Sequence, residues 1–158
     1  MSIWNLNVNC GITFGEDSRL TVGEKLKSYG ATTALLLYDM AMDQFGYQRE
    51  IEKVINDANI KVVCYQVEEG EPTAQKSDRA YDFAKDKSVD AIVAIGGGST
   101  MDTGKMVGKL LANGGKTRDY QNNPCIGNTV FRPLIALPST AGTGAELTPY
   151  LTCATEDG

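Results

Sequence analysis

Histidine is absent from all 158 residues. That absence removes the commonest general base near neutral pH and the commonest transition-metal ligand together, so imidazole does none of this chain's chemistry. Cysteine is sparse and scattered: Cys10, Cys64, Cys125 and Cys153 form no C-x-x-C pair. This argues against a cysteine zinc site and against a redox dithiol, and the four read as free thiols of a reducing compartment. Positive charge is short as well, with 15 Lys and Arg against 20 Asp and Glu and a net charge of −5. The basic residues are spread along the chain; Lys25 with Lys27, and Lys85 with Lys87, read as solvated helix faces. Binding a nucleic-acid backbone needs a concentrated positive field, so nucleic acid is not an expected partner. No apolar run approaches membrane-spanning length. Residues 1–9 carry no basic segment leading into an apolar core, so no secretion signal is read there. A cytoplasmic protein with no membrane partner is expected. Internal repeats and low-complexity tracts are absent too.

What is present is an ordinary globular composition, 42% hydrophobic and 22% charged, at a length that suits one well-buried domain and is short for two. The most informative stretch is Asp90-Ala-Ile-Val-Ala-Ile-Gly-Gly-Gly-Ser-Thr-Met-Asp-Thr-Gly-Lys105. Ala91 to Ile95 is an uninterrupted apolar run, as in a strand buried on both faces, and Gly96, Gly97 and Gly98 offer backbone amides unshielded by side chains. A helix is expected from about Thr100, with Ser99 as its N-cap and Asp102 completing an S-x-x-D capping box. A helix N-terminus beside bare glycine amides attracts anions, here a phosphate, because unpaired donors and the positive dipole end point the same way.

Ile12-Thr-Phe14 is a short strand candidate, and residues 19–29 carry Leu20, Val22, Leu26 and Tyr29 at near-helical spacing before Gly30. The first strongly apolar strand, Thr33-Ala-Leu-Leu-Leu-Tyr38, ends in Asp39. A helix over residues 45–59 with Ile51, Val54, Ile55 and Ala58 buried, and a strand over 61–67, follow. After the polar turn Glu68-Glu-Gly-Glu-Pro72, Thr73 can cap a helix running to about Lys87. The helix beyond the glycine turn ends at Asn113-Gly-Gly115, a loop with Tyr120 and Pro124 comes next, and residues 133–137 and 150–154 make a fourth and a fifth strand. Strands alternating with helices predict an α/β fold, a Rossmann-like, mainly parallel sheet with helices on both faces. Ligands of such sheets sit outside the carboxyl ends of the strands, so Asp39, residues 96–99 and the segment after Leu137 should converge. The sequence closes on a strand running into Asp157-Gly158, a hairpin turn without a returning strand, as expected of the front part of a longer protein.

The glycine turn matches neither of two familiar phosphate motifs. Five residues separate Gly98 from Gly104 where a Walker A loop has four, and Met106 stands where that loop needs Ser or Thr. Met101 stands at the third glycine of G-x-G-x-x-G, and the best strand-end acid, Asp39, lies upstream of the turn rather than about 20 residues after it. Together with Leu137-Pro-Ser-Thr-Ala-Gly-Thr-Gly-Ala-Glu146, however, the turn resembles the nucleotide-binding half of the iron-containing (group III) alcohol dehydrogenases. The resemblance runs from about Phe14-Gly15 to the end, through Leu37-Tyr-Asp39, Glu71-Pro-Thr73, Asn113-Gly-Gly115 and Asp119-Tyr120. Gly-Gly-Gly-Ser alone is also similar to dehydroquinate synthases and glycerol dehydrogenases, which share the fold; the Ser-Thr-Ala-Gly-Thr-Gly-Ala-Glu run selects the iron-dependent branch.

The resemblance implies a dinucleotide bound with its pyrophosphate on the Gly96 to Ser99 turn, mainly Gly97, Gly98 and Ser99, and with Ser139, Thr140 and Thr143 lining it near the pyrophosphate and nicotinamide ribose. Asp39 would accept hydrogen bonds from the adenosine-ribose hydroxyls and oppose a 2′-phosphate, which makes NAD rather than NADP the expected cofactor; alone, it could equally be a turn-forming aspartate. Asp102 stands near the same phosphates, where a carboxylate repels them, so capping is set against a cofactor role. Lys105 either offsets phosphate charge or stabilises the fold. The family's ferrous or zinc ion is held by one Asp and three His in a helical C-terminal domain. The resemblance thus implies a single dinucleotide-binding domain over residues 1–158 with that metal-binding domain absent, no catalytic residue and no metal ligand. The expected parent activity is NAD-linked alcohol or aldehyde oxidoreduction, with this chain silent alone. A non-enzymatic nucleotide-binding module or fold remnant is the alternative, and a dehydroquinate-synthase-like lyase a third. Loss of a helical domain would bare an apolar face around residues 138–150, so self-association is expected.

Overall fold

Residues 10–121 and 131–154 are described by a computed structural model. Four parallel strands lie in the order β2-β1-β3-β4: β1 Thr33–Tyr38, β2 Lys61–Gln66, β3 Ala91–Gly96 and β4 Leu134–Pro138. β1 is central, its Ala34 facing Val62 of β2 and Ala91 of β3, while Gly96 at the end of β3 faces Pro138. The chain runs outward from β1 to β2, returns past β1 to β3, and continues away to β4. The direction therefore reverses between β1 and β3, and at that point the loops leaving the two carboxyl ends part and leave a crevice.

The apolar runs produce this sheet because parallel strands are covered on both faces and cannot afford an alternating polar face. In β1, Ala34, Leu35, Leu36 and Leu37 are wholly buried, and every residue of β3 is buried. Alternation along each strand sorts their side chains between two cores. Ala34, Leu36, Ala91, Val93 and Ile95 pack with Val22 and Leu26 of α1 (Val22–Ser28), Met42 of α2 (Met40–Gln44), and Ile51 and Ile55 of α3 (Tyr47–Asp57). Leu35, Leu37, Ile92 and Ala94 pack with Ala80 and Ala84 of α4 (Ala74–Ala84) and with Met101 and Val107 of α5 (Gly98–Asn113). Gly104 allows α5 to lie close on the sheet, since a Cβ there would stand 3.2 Å from Ala94 Cβ and 3.3 Å from Leu134 Cδ1.

The expected α/β architecture is observed, with local differences. Residues 12–14 form no strand, and Phe14 is 98% exposed. The helix expected over 45–59 is α3, Tyr47–Asp57, and a short helix not expected from sequence, α2, precedes it; Gly46, with a φ of +80° outside the right-handed helical region, parts the two. Thr73 caps α4 as expected, its hydroxyl accepting from the Lys76 amide at 3.3 Å, but α4 stops at Ala84. α6 (Thr117–Gln121) occupies part of the expected loop, its first amide and the Thr117 hydroxyl both donating to Asp78. Cys125, Pro124 and the Asp157-Gly158 turn lie outside the described residues. The fifth strand over 150–154 does not form. Only Ala154 bridges to Thr73, while the Tyr150 and Cys153 carbonyls and the Thr152 amide are engaged by α5 and α6 side chains.

Candidate functional site

The carboxyl ends of β1, β3 and β4 deliver three short segments to one place. Asp39, the first residue beyond β1, has an extended backbone, and its Oδ1 accepts from the Met42 amide at 3.0 Å, capping α2. Its Oδ2 accepts from the Gly97 amide at 3.0 Å, crossing from the β1 end to the β3 end. The carboxylate is thus fixed by one bond on each side of the crevice.

That bond explains the turn's composition. Gly96 has φ +149°, and a Cβ there would collide with Asp39 Oδ2 and stand 2.7 Å from Thr100 Oγ1. At Gly98 a Cβ would meet the Thr143 side chain, 3.0 Å from its Cγ2. Thr140 approaches Gly97 in the same way, 3.6 Å from the equivalent position. The loop beyond β4 is hung on the turn by the Ser139 amide, which donates to the Gly96 carbonyl at 2.8 Å. Asp39, the glycine turn, Ser139, Thr140 and Thr143 therefore do converge, as the sequence argument required.

The helix start differs from expectation. α5 begins at Gly98, with Gly97 as N-cap and no side-chain capping bond. Ser99 lies inside the first turn, its carbonyl accepting from the Thr103 hydroxyl at 2.9 Å, so the S-x-x-D capping box is not formed. The reason is steric: three residues without Cβ allow the chain to enter the helix earlier than a side-chain cap would. The Gly97 amide is directed to Asp39. The first-turn amides of Gly98 and Ser99 are those an α-helix leaves without an intrahelical acceptor.

Asp102 is buried at 8% exposure and reaches across α5 instead of back along it. Its Oδ1 accepts from Lys105 Nζ at 3.0 Å and its Oδ2 from the Thr152 amide at 3.0 Å. Lys105 Nζ donates further to the Tyr150 carbonyl at 2.7 Å and to Thr148 Oγ1 at 3.3 Å. The lysine is thus committed to the segment 148–152 and to Asp102.

Two clefts flank the glycine turn, with Ser99 lining both. One, of about 440 Å³, is bounded by Asp39, Met40, Ala41, Gly97 and the segment 67–70. The other, of about 370 Å³, is bounded by Gly98, Asp102, Thr143, Thr148, Tyr150 and Thr152 among others. The outer wall of the first was missed from sequence, where residues 68–72 read only as a polar turn; their position at the carboxyl end of β2 was the available signal. That loop is stiffened from α4. Arg79 makes a two-pronged contact with Glu68 at 2.6 and 2.7 Å, and Lys76 Nζ donates to the carbonyls of Glu69 and Glu71 at 2.5 and 2.9 Å. The Arg79 hydrogen bond holds the Glu68 carboxyl below the usual carboxylate range, so it stays charged at the mouth of the cleft.

The turn has the donors a dinucleotide phosphate needs, because α5 starts at Gly98 with no side chain capping its first-turn amides. A transition-metal site is not matched in the same way. The sequence has no histidine, and among the described residues no three His, Cys, Asp or Glu side chains stand close enough to hold a cation. Among the described residues, too, no helix is long and apolar enough to cross a membrane.

Comparison with known proteins agrees with this geometry. The family model described as "Iron-containing alcohol dehydrogenase" matches residues 10–158. The NAD-dependent methanol dehydrogenase of Bacillus methanolicus is 37% identical over 127 residues, 80% of this chain and 33% of that protein. The mitochondrial hydroxyacid-oxoacid transhydrogenase of Mus musculus is 36% identical over 155 residues, 94% of this chain and 32% of that protein. The chain therefore spans about a third of the length of these curated relatives. Among solved structures, NADH-dependent butanol dehydrogenase A from Thermotoga maritima superposes with a TM-score of 0.85 at 23% identity, covering 99% of this chain and 39% of that one. At that identity the likeness speaks for the fold.

Proposed function

The chain belongs to the iron-containing alcohol dehydrogenase family, and from that premise we propose that it is a dinucleotide-binding domain that holds NAD for hydride exchange with an alcohol or aldehyde. The observation that carries this reading is the crevice at the β1/β3 reversal, where a fixed carboxylate, a bare glycine turn on a helix N-terminus and a hydroxyl-rich loop meet. The pyrophosphate rests on the Gly98 and Ser99 amides and the α5 dipole, with Ser139, Thr140 and Thr143 donating from the facing loop. Asp39 accepts from the adenosine ribose diol in the 440 Å³ cleft, which leaves the 370 Å³ cleft for the nicotinamide half. Bound NAD supplies the hydride chemistry.

Selection of NAD over NADP follows from charge. A 2′-phosphate in the first cleft would face Asp39 with Glu68 and Glu69 in the same wall. Arg79 offsets only Glu68, and one unpaired like charge at about 4 Å costs ~1 kcal/mol even in water. That a related protein is an NAD-dependent methanol dehydrogenase supports the same choice.

Because no three His, Cys, Asp or Glu side chains among the described residues could hold a metal, no metal-dependent step is assigned to those residues, and the chain is read as supplying the cofactor side of the reaction without turnover of its own. Titration calorimetry with NADH, NADPH and NAD tests the reading. NADH binding at least about fivefold tighter than NADPH is expected. Binding of no dinucleotide would overturn the proposal in favour of a fold remnant, and tighter NADPH binding would overturn the role of Asp39.

A further inference from the structure

We propose that Lys105 and Asp102 are positioning residues, whose ion pair holds residues 148–152 in place as the wall of the 370 Å³ cleft that receives the nicotinamide half of the cofactor. The inference rests on the reading that a dinucleotide spans the glycine turn. It goes beyond that reading by giving a task to two charged groups that do not meet the ligand's phosphates.

The contacts of the pair all converge on one segment. Besides each other, Lys105 Nζ binds the Tyr150 carbonyl and Thr148 Oγ1, and Asp102 Oδ2 takes the Thr152 amide. The Thr148 hydroxyl donates to the Tyr150 carbonyl at 3.1 Å, closing the arrangement. The pair is largely withdrawn from water, with side-chain exposures of 11% for Lys105 and 10% for Asp102. Low exposure removes the screening that makes surface pairs weak, so geometry imposed here is firmly held.

The segment has little else to hold it at this end. It forms no strand, and its large side chains belong to neither core: Tyr150 is 80% exposed and Leu151 only half-buried. Its far end is fixed separately, where the Ala154 amide donates to the Pro72 carbonyl and the Ala154 carbonyl accepts from the Ala74 amide. Residues 148–152 are thus suspended between that bridge and the ion pair, with Thr148, Tyr150 and Thr152 lining the cleft. Fixed dipoles and walls raise affinity by removing the cost of ordering them on binding. Losing the pair should therefore weaken only the part of the ligand lying against this wall.

ADP and NADH separate the two parts, since ADP carries the adenosine ribose and pyrophosphate but no nicotinamide. Calorimetry on the full chain, with circular dichroism to check folding, should show that Lys105→Met weakens NADH by about tenfold while ADP changes by less than about twofold. Lys105→Arg, which keeps the charge and several donors, should restore most of the loss. Where Lys105→Met does not fold, Thr148→Val removes only the hydroxyl between Lys105 and the Tyr150 carbonyl, and a smaller loss confined to NADH is expected. Equal weakening of both ligands, or no change in either, would overturn the positioning role while leaving the dinucleotide reading intact. Equal affinity of the unaltered chain for ADP and NADH would overturn it as well. Failure of the unaltered chain to bind either ligand would overturn the underlying reading, and this inference with it.

Discussion

Asp39 carries two tasks with one carboxylate, and they can be separated by substitution. Oδ1 caps α2 and Oδ2 holds the Gly97 amide, both as acceptors. Asparagine keeps one acceptor oxygen and the side-chain shape but removes the charge that opposes a 2′-phosphate. Asp39→Asn should leave thermal stability within about 1 kcal/mol of the parent, the usual scale of a lost cap, while narrowing the NADH over NADPH preference several-fold. Competitive titration of the two cofactors, alongside denaturant melts, reads both effects. Gly96→Ala is the harsher change: the added methyl collides with Asp39 Oδ2 at a φ of +149°, so folding stability should fall by about 1–3 kcal/mol and dinucleotide binding should be lost. A variant that binds NADH as well as the parent would show that the turn relaxes without consequence. Cys64 is a quieter residue. Burial, with repulsion from Glu52, pushes its thiol up to about 11 against the opposing hydrogen bond from the Gln48 amide. Its alkylation rate should therefore be low at neutral pH and keep rising towards about pH 11, as mass spectrometry of the Cys64 peptide would show.

At the scale of elements, β1 and β3 are tied at both ends by aspartates. Asp39 does so at the carboxyl end. At the other end Asp90 accepts from the Thr32 amide and hydroxyl at 2.9 and 2.6 Å and from the Thr33 amide at 3.1 Å. Partial burial raises the Asp90 carboxyl, but these bonds outweigh it and hold it below the usual carboxylate range. A group depressed in the folded state stabilises fully above its unfolded value, about 3.9, and loses that contribution as pH falls through the folded value. Asp90→Asn should thus cost about 1 kcal/mol at pH 7, once solvent screening is allowed for, and progressively less below pH ~4. Urea melts at pH 7 and pH 3 check it; an equal cost at both would mean that charge plays no part. The elements themselves were legible in sequence wherever burial was complete. Thr33–Tyr38 and Ala91–Gly96 show as apolar runs because both faces are covered. The capping box at Ser99 misled because Asp102 is engaged elsewhere: Lys105, three residues on along α5, and the distant Thr152 amide compete for the same carboxylate. The fifth strand failed for a related reason: residues 150–154 have strand-like composition, but Lys105, Asp102 and Gln121 engage the Tyr150 carbonyl, the Thr152 amide and the Cys153 carbonyl, which a neighbouring strand would need.

The molecule as a whole is completed unevenly across its sheet. The central strands are sealed on both faces, and the glycine turn, its carboxylate and its hydroxyl-rich loop could be foreseen because the family motifs stand at strand ends. The clefts could not, since residues 67–72 and 148–154 enter them only through the folded topology. At the margin, β4 is only half-buried along its apolar residues, and Ile135 and Leu137 pack on the α1–α3 side without being sealed there. Phe131 is 44%, Leu147 45% and Tyr150 80% exposed close to this margin in sequence. A parallel sheet stabilises itself by covering both faces, and each large apolar side chain withdrawn from water contributes about 1.5–3 kcal/mol. With several left open, contact with a second copy is expected to lower the free energy of both. The sedimentation coefficient of the 158-residue chain should therefore rise with concentration, and a hydrophobic dye should brighten in its presence. Raising the salt concentration should strengthen association, since the net charge of −5 that keeps copies apart is screened while the apolar attraction is not. A single sedimenting species of monomer mass at every concentration, with no dye response, would show that the margin of β4 is covered by the chain itself.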